Sequence, residues 1–207
     1  KNTHASHAMG AELLYECVGQ DSFLITLNLY RDCEGIDAFV TDAPITITGC
    51  GNSYPFNLVK TPTIHPGGFP NTFEVSPICA SQIGNTTCNS GPLPGAQHIQ
   101  YSAIWVAPSA CNWRLSFDLN SRNAIITTIT NPVIQDLYVE SYLNNAVAPC
   151  NSSPIFTNYP VLYYCYQDTV TFNNGTIDID GDSIVYQMVQ PMVDTNMFVQ
   201  YVNGFSV

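Results

Sequence analysis

Residues 22–31 read SFLITLNLYR, and the alternation of their side chains is the clearest structural signal in the chain. Aliphatic and aromatic residues occupy every second position, while Thr26, Asn28 and Tyr30 fall between them. A period of two is the pattern of a β-strand that buries one face and leaves the other in water. The stretch therefore predicts a half-buried strand.

The same alternation recurs in four further segments that are rich in β-branched and aromatic residues. These segments are residues 98–106, 112–119, 124–130 and 136–143. Clusters of Gly, Pro, Asn and Asp separate them, and no segment places apolar residues at helical spacing over three turns. We therefore predict an all-β fold, an antiparallel immunoglobulin-like β-sandwich with Greek-key connections.

Two stretches interrupt this pattern. Residues from about 50 to 97 are dense in Pro and Gly, which predicts long surface loops. Near residues 144–154, small, polar and Pro residues replace the alternation, so we expect a domain boundary there. A disulfide-braced β-sandwich would occupy residues 1–147. Residues 148–207 would start a second β-sandwich module, which is incomplete by itself because a full sandwich needs roughly 100 residues.

Composition argues against several functions. The net charge is −11 with five Lys plus Arg, so no basic stripe is present to neutralise phosphates, and nucleic acid is a poor partner. No stretch approaches the roughly 20 consecutive apolar residues of a membrane span. The four histidines belong to no catalytic motif such as GxSxG or HExxH, and we expect a protein that is not an enzyme.

Eight cysteines form an even set without the CxxC spacing of zinc and redox sites. They are Cys17, Cys33, Cys50, Cys79, Cys88, Cys111, Cys150 and Cys165. Disulfides persist in oxidising compartments, so we expect a secreted, extracellular protein whose signal peptide has been removed. Spacing favours a Cys79–Cys88 bridge within one loop and a Cys150–Cys165 bridge at the start of the second unit. The other four cysteines could pair in three ways.

Residues 175–188 read GTIDIDGDSIVYQM and place Asp178, Asp180 and Asp182 at alternate positions before a strand-like stretch. Three carboxylates this close repel one another unless a cation lies between them, and Ca²⁺ takes six to eight oxygen ligands. Gly181 would permit a sharp turn. The alternative is a solvated turn held by hydrogen bonds from the Asp side chains to nearby backbone amides. The sequence leaves both interpretations open.

The aromatic content, 12 Tyr and 2 Trp, supports a different class of function. Sugar rings stack on exposed aromatic faces, so the alternative is a carbohydrate-binding accessory module of a secreted polysaccharide-degrading protein. Trp105 and Trp113 would carry such a site. Both tryptophans lie on strand faces with other apolar residues, however, where burial is expected.

The opening HASHAMGAELLYECVGQDSFLITLNLYRDCEG, residues 4–35, resembles the opening of very large secreted surface proteins of the Bacteroidota, gliding bacteria among them. Four later segments resemble the same family in the same order. They are CNSGPLPGAQHIQYSAIWVAPSACNW, RNAIITTITNP, YLNNAVAPCNSSPIF and DIDGDSIVYQM. Family members often carry a Cys pair just before the Arg-Asn of the second of these segments, where this chain reads DLNSRNAI, so the family's disulfide pattern does not transfer.

The resemblance implies a cell-surface adhesin or a fibre- or filament-forming protein, exported by the type 9 secretion route and involved in gliding motility. Such proteins carry tandem immunoglobulin-like, PKD-like or cadherin-like modules, so residues 148–207 would begin a cadherin- or PKD-like module. The expected partners are other modules of the same long chain, neighbouring subunits, and surface or glycan ligands.

Two sets of site residues follow from the resemblance. In cadherin-like modules, the aspartates of a DxDGD loop help to bind calcium near a module junction. The corresponding calcium ligands here would be Asp178, Asp180 and Asp182. Glu140 and Asn144 of the preceding domain are added as contributors only because they precede the predicted domain boundary. The Bacteroidota also attach O-glycans at Asp-Ser/Thr followed by an apolar residue, which makes Thr169 and Ser183 candidate glycosylation sites.

Overall fold

A computed structural model describes residues 7–35, 41–61, 73–162, 169 and 171–206. The described residues form an antiparallel all-β structure that is consistent with a β-sandwich, which confirms the predicted fold class. Its strands are β1 Ala8–Gly19, β2 Ser22–Asp32, β3 Asp42–Gly49, β4 Asn52–Lys60, β5 Phe73–Glu74, β6 Ala96–Val106, β7 Asn112–Leu119, β8 Leu137–Asn144, β9 Ile155–Phe156, β10 Thr176–Ile177, β11 Met192–Asp194 and β12 Met197–Phe198.

One large sheet contains most of these strands, in the order β1-β2-β6-β4-β3-β7-β8-β11-β12, and β5 pairs with β6 at its side. Strand β2, which includes the stretch SFLITLNLYR, pairs with β1 on one side and with β6 on the other. Its ladder with β6 is unbroken from the pair Ser22–Val106 to the pair Asp32–Ala96. The two short strands β9 and β10 pair with each other in a separate sheet.

The large sheet folds so that β1 contacts β8. Its two halves, β1, β2 and β6 on one side and β4, β3, β7 and β8 on the other, both contribute side chains to one core. The hydroxyl of Tyr15 on β1 donates a hydrogen bond to the carbonyl oxygen of Tyr142 on β8, at 2.9 Å. The largest fully buried side chains come from both halves: Trp113, Tyr101, Phe23, Phe117, Ile25, Leu27, Leu29, Ile47, Leu58, Ile99, Leu115 and Leu143. The predicted inner face of β2 is therefore confirmed.

Three disulfides brace this structure: Cys17–Cys150, Cys33–Cys88 and Cys50–Cys111. The two bridges expected from spacing, Cys79–Cys88 and Cys150–Cys165, are therefore wrong. Tertiary contacts, not closeness in sequence, bring the partners together. For example, the backbone N–H of Cys33, just beyond β2, donates to the carbonyl oxygen of Gly95 just before β6. Cys79 is exposed and bonded to no described cysteine, and Cys165 lies outside the described residues.

The predicted strand at 124–130 does not form, although Ile129 makes an isolated bridge to Tyr201. Asn123 explains the difference. Its buried side-chain Oδ1 accepts the backbone N–H of Ile125 at 3.1 Å, and its carbonyl oxygen accepts the N–H of Ile126. Local hydrogen bonds of this kind compete with pairing in a sheet, and here they turn the chain before a strand can start.

The surface loops predicted from residue 50 onward begin later than expected, because β4 is a strand that contains Pro55. The turn residues Cys50 and Gly51 both have positive φ, 48° and 77°, as a two-residue hairpin turn requires. Cys50 and Gly51 therefore form the hairpin turn between β3 and β4. Irregular chain and short 3₁₀ turns, Ala80–Asn85 and Thr87–Asn89, do appear further along.

Beyond residue 148, β11 extends the large sheet by pairing with β8, and β12 pairs with β11. Residues 183–190, which include the strand-like SIVYQM, form no strand, so that expectation is wrong. Most of their apolar side chains are exposed, with Val185 89% and Met188 82% exposed. The boundary near residue 147 remains a prediction. Within the described part of the chain, no helix could span a membrane.

A test of the packing between the paired strands β3 and β7 is substitution of Gly49 at the end of β3. A Cβ atom there would lie 2.5 Å from Cε3 of Trp113 and 2.9 Å from the carbonyl oxygen of Asn112. Gly49→Ala should therefore destabilise the protein by about 1–3 kcal/mol in urea unfolding. Gly84→Ala is the matched control, because a Cβ there meets open space, and it should change stability by less than about 0.5 kcal/mol. Equal losses of stability in Gly49→Ala and Gly84→Ala would contradict the close contact between Gly49 and Trp113.

Candidate functional site

Residues 150–153 lie along the free edge of β1, and we call this contact the seam. The N–H of Tyr15 donates to Ser153 Oγ at 2.9 Å, and the N–H of Ser153 donates to the Tyr15 carbonyl oxygen at 2.8 Å. The N–H of Cys17 donates to Ser152 Oγ at 3.2 Å. The Cys17–Cys150 disulfide joins the same two segments covalently. Because β1 ends the sheet, the seam covers polar backbone groups that would otherwise stay open for pairing.

The DxDGD loop contacts the seam through Asp180. Asp178 Oδ1 accepts the backbone N–H groups of Asp180, at 3.0 Å, and Asp182, at 3.1 Å. Asp180 Oδ2 accepts the N–H of Ser152 at 2.6 Å, which connects the loop to the seam. Burial raises the pKa of the Tyr15 hydroxyl, and the negative charges of Asp178 and Asp180 raise it further. Gly181 has φ of 83°, so the turn uses the conformation that glycine permits.

The loop geometry is that of the Asx-type turn that the sequence left open as the alternative to calcium. Glu140 and Asn144, the ligands expected from the preceding domain, are occupied on β8. Glu140 accepts the hydroxyls of Tyr138 and Tyr142 at 2.9 and 3.0 Å, and Asn144 Oδ1 accepts the N–H of Val147. In the described part of the chain, no three His, Cys, Asp or Glu side chains are grouped to hold a metal ion. The carboxylates are not converged as a calcium cage in this conformation, and calcium binding remains a prediction.

The two candidate glycosylation residues, Thr169 and Ser183, are both exposed, as attachment of a glycan requires. Asp168 and Val170, which complete the motif at Thr169, lie outside the described residues.

The tryptophans of the carbohydrate-binding alternative belong to the core, as the strand pattern predicts. Trp113 is fully buried and Trp105 is 7% exposed, and their rings meet edge to face with centroids 5.2 Å apart. The indole N–H of Trp113 donates to Oδ1 of the buried Asn145 at 3.1 Å. Neither ring face is available to stack on a sugar.

A second candidate site lies on the outer face of β1, β2 and β6, and we call it the polar cleft. Register places Glu12, Asn28 and Gln100 side by side across the three strands, and Tyr30 lies beside His98 in the next row. A cavity of about 260 Å³ separates these residues from the chain around β9, and it is bordered there by Phe156, Thr157, Asn158 and Tyr159. The cleft is therefore bordered by both the sheet and the segment after the seam.

Hydrogen bonds connect the polar residues of the cleft into one network. Glu12 accepts the Asn28 side-chain N–H at 3.1 Å and the Tyr30 hydroxyl at 3.2 Å. Asn28 Oδ1 in turn lies 3.1 Å from Gln100 Nε2 and 3.0 Å from His98 Nε2. The rings of Tyr30 and His98 stack with centroids 5.1 Å apart. These bonds hold the polar side chains of the cleft in place.

Burial raises the pKa of Glu12 above its usual 4.5, while the hydrogen bonds from Asn28 and Tyr30 act in the opposite direction. Burial also raises the pKa of Tyr30 well beyond its usual value, with added contributions from the charge and hydrogen bond of Glu12. Both shifts show that the cleft is a poor environment for negative charge.

Reasoning from the sequence did not identify the polar cleft. The signal that could have found it is the two-residue connection, Gln20 and Asp21, between β1 and β2. The hairpin sets the pairing of Gly19 with Ser22, and a β-bulge between Cys17 and Gly19 then shifts the register by one residue. Only with this bulge does Glu12 lie opposite Asn28, because the hairpin alone would place it opposite Leu29. The position of Gln100 beside them depends on pairing between β2 and the distant β6, which no local pattern reveals.

Comparisons with known proteins assign no function to these sites. No family model matches the chain, and neither the curated proteins nor the solved structures include a match. The resemblance to Bacteroidota surface proteins therefore remains an expectation from sequence. The functional argument rests on the seam and the polar cleft.

The calcium hypothesis predicts a higher melting temperature in calcium than in chelator, because a ligand that binds only the folded form stabilises it. The gain would be about 2.7 kcal/mol when free calcium is about 100 times its Kd. Asp182→Asn should abolish the rise, since it removes a ligand charge and keeps the backbone N–H that Asp178 accepts. Glu34→Gln, on an exposed side chain, is the charge-matched control. Identical melts in calcium and chelator would leave the loop as an Asx turn.

The raised pKa of Glu12 predicts that Glu12→Gln makes the protein more stable near pH 7, because it removes a charge that burial disfavours. When a group has a higher pKa in the folded state than in the unfolded state, the folded protein becomes more stable as the pH falls through that pKa. The advantage of the variant should therefore shrink as the pH falls through the raised pKa of folded Glu12, and most of it should be lost by the usual value of 4.5. The Tyr30 hydroxyl can accept the new amide N–H.

Urea unfolding between pH 4 and pH 8 measures this effect, and Glu16→Gln on the exposed part of the same strand is its control. An advantage of Glu12→Gln that does not change with pH would show that burial of the charge is not its cause.

Proposed function

We propose that this chain is a non-enzymatic, load-bearing segment of an extracellular surface protein, acting as part of an adhesin or fibre. The observation that carries the proposal is the Cys17–Cys150 disulfide, which joins residues 133 apart in sequence beside the free edge of β1. A covalent bond between the first strand and the segment after the sandwich suits a protein that must transmit force between its neighbours.

The position of the bridge determines the path that force would take. Tension applied to the chain beyond Cys150 passes through the disulfide to Cys17. From there it continues along β1 toward residue 8, so it does not enter β2. Strands β2 to β8 lie inside the closed loop and carry no tension along this path. The bridges Cys33–Cys88 and Cys50–Cys111 lie inside the same loop, where they stabilise the sandwich itself. Closing so long a loop also stabilises the fold by on the order of 4 kcal/mol.

The three disulfides support an extracellular location, because such bonds persist in oxidising compartments. The non-enzymatic assignment is supported by the sequence, which offers no catalytic motif, and by the Asp loop, whose carboxylates accept backbone amides. Export by the type 9 route and a role in gliding motility are part of the proposal through the family resemblance alone.

The expected partners are β-segments of the same long chain or of neighbouring subunits. Residues 183–190 support this part of the proposal, because their alternating sequence suits a strand while Val185, Tyr186, Met188 and Val189 remain exposed. A strand added beside them would bury this apolar surface and pair their backbone groups. Such pairing would connect residues 183–190 to the next module of the chain or to a neighbouring subunit.

Force measurement on single molecules tests the load-bearing role, with handles attached before Cys17 and after Cys150. With the bridge intact, unfolding should release only chain outside the Cys17–Cys150 loop. In the double variant Cys17→Ser/Cys150→Ser, the sandwich enters the force path, and each unfolding trace should lengthen. Because the Cys50–Cys111 bridge still bypasses the residues that it encloses, the added length is limited to about 72 residues, or about 250 Å when fully extended.

The control is the double variant Cys50→Ser/Cys111→Ser, which removes a bridge inside the shielded loop and should leave the length released from the intact seam unchanged. Equal released lengths with and without the Cys17–Cys150 bridge would overturn the proposed force path.

A further inference from the structure

We infer that the polar cleft binds a neutral, hydroxyl-rich saccharide. The inference goes beyond the load-bearing role proposed above and does not depend on it. The sheet contributes Glu12, Asn28 and Gln100 to one wall, and the chain around β9 contributes Phe156 and Asn158 to the other.

The chemistry of the sheet wall matches hydroxyl groups. A carboxylate such as Glu12 accepts hydrogen bonds, while the amides of Asn28 and Gln100 carry both donors and acceptors. A sugar hydroxyl also donates and accepts, so neighbouring hydroxyls can use both kinds of group at once. Because the side chains are already fixed by their mutual hydrogen bonds, little conformational freedom remains to be lost on binding.

The opposite wall supplies apolar surface at the rim. Phe156 is 41% exposed, and Tyr159 is only partly buried with its ring next to those of Tyr30 and His98. The C–H face of a sugar ring needs such a surface beside the polar groups that bind its hydroxyls. The cavity, about 260 Å³, is at the small end of ligand pockets, which favours recognition of one ring unit of a glycan over a long chain.

Charge restricts the ligand further. The carboxylate of Glu12 and the net charge of −11 disfavour phosphates, sulfates and uronic acids. A cation such as an ammonium group could pair with Glu12, but it has no acceptor to offer the second N–H of the Asn28 and Gln100 amides, whose first N–H donates within the network. A neutral saccharide satisfies donors and acceptors together, so it is the class that fits best.

The cleft is suited to retain a sugar without cleaving it. Glycoside hydrolysis uses a pair of carboxyl groups on either side of the scissile bond, about 5 to 9.5 Å apart. Glu12 is the one carboxylate among the described residues that border the cleft. A binding site of this kind would let a load-bearing surface segment hold a glycan on another cell or on a polysaccharide.

The test begins with the intact, oxidised protein on a panel of immobilised neutral oligosaccharides built from glucose, mannose, galactose and N-acetylglucosamine. Acidic oligosaccharides and lysine-rich peptides are included as competing classes. A glycan that is retained is then titrated by calorimetry. We expect a neutral glycan to bind, and we expect Gln100→Ala and Phe156→Ala each to weaken it at least tenfold.

Ile104→Ala is the matched control, because Ile104 lies on the same strand as Gln100 but is exposed away from the cleft, and it should leave the affinity unchanged. Phe156 is partly exposed, so its substitution should not prevent folding, which a thermal melt verifies. Failure to retain any neutral glycan, retention only of acidic glycans or lysine-rich peptides, or unchanged affinity in both cleft variants would each overturn the assignment. None of these outcomes would alter the released lengths that test the force path.

Discussion

The register of β2 between β1 and β6 is the constraint on which the rest of the structure depends. Side chains alternate across a strand, so a slip of one residue would move every apolar side chain of β2 from the core to the outer face. In the observed register, Phe23, Ile25, Leu27 and Leu29 enter the core. The same register aligns Glu12, Asn28 and Gln100 on the opposite face. One set of backbone hydrogen bonds therefore fixes both the hydrophobic core and the polar cleft.

Strands whose two faces differ strongly could be predicted from the sequence. The segments that became β2, β6, β7 and β8 alternate clearly, and each was found within two residues of its limits. Prediction failed where a single side chain decides the path. Asn123 turns the chain at an otherwise strand-like stretch, and Cys50 and Gly51 make a hairpin where Pro and Gly suggested loops. Local composition does not distinguish these cases because the deciding hydrogen bonds involve particular atoms.

The candidate sites required information that a sequence holds only across long distances. The three disulfides join residues 55, 61 and 133 apart, so the spacing of neighbouring cysteines was a poor guide to their pairing. The Asp loop was recognised as a unit, and the Asx turn was one of its two expected forms. Its attachment to the seam through Ser152 could not be foreseen, because that contact exists only once residue 150 is bound to β1.

The order of the cysteines along the chain also sets the order in which the protein can mature. The Cys33–Cys88 and Cys50–Cys111 loops overlap, and both are enclosed by the Cys17–Cys150 loop. A chain that emerges from a membrane pore with its N-terminus first presents Cys33 and Cys50 before either of their partners. Cys17 cannot form its native bridge until residue 150 has emerged, by which time β1 to β8 are all available to fold. The Cys17–Cys150 bridge can therefore close only after all strands of the sandwich have emerged. Any earlier bond among the first three cysteines must be exchanged for the native bonds by thiol–disulfide exchange.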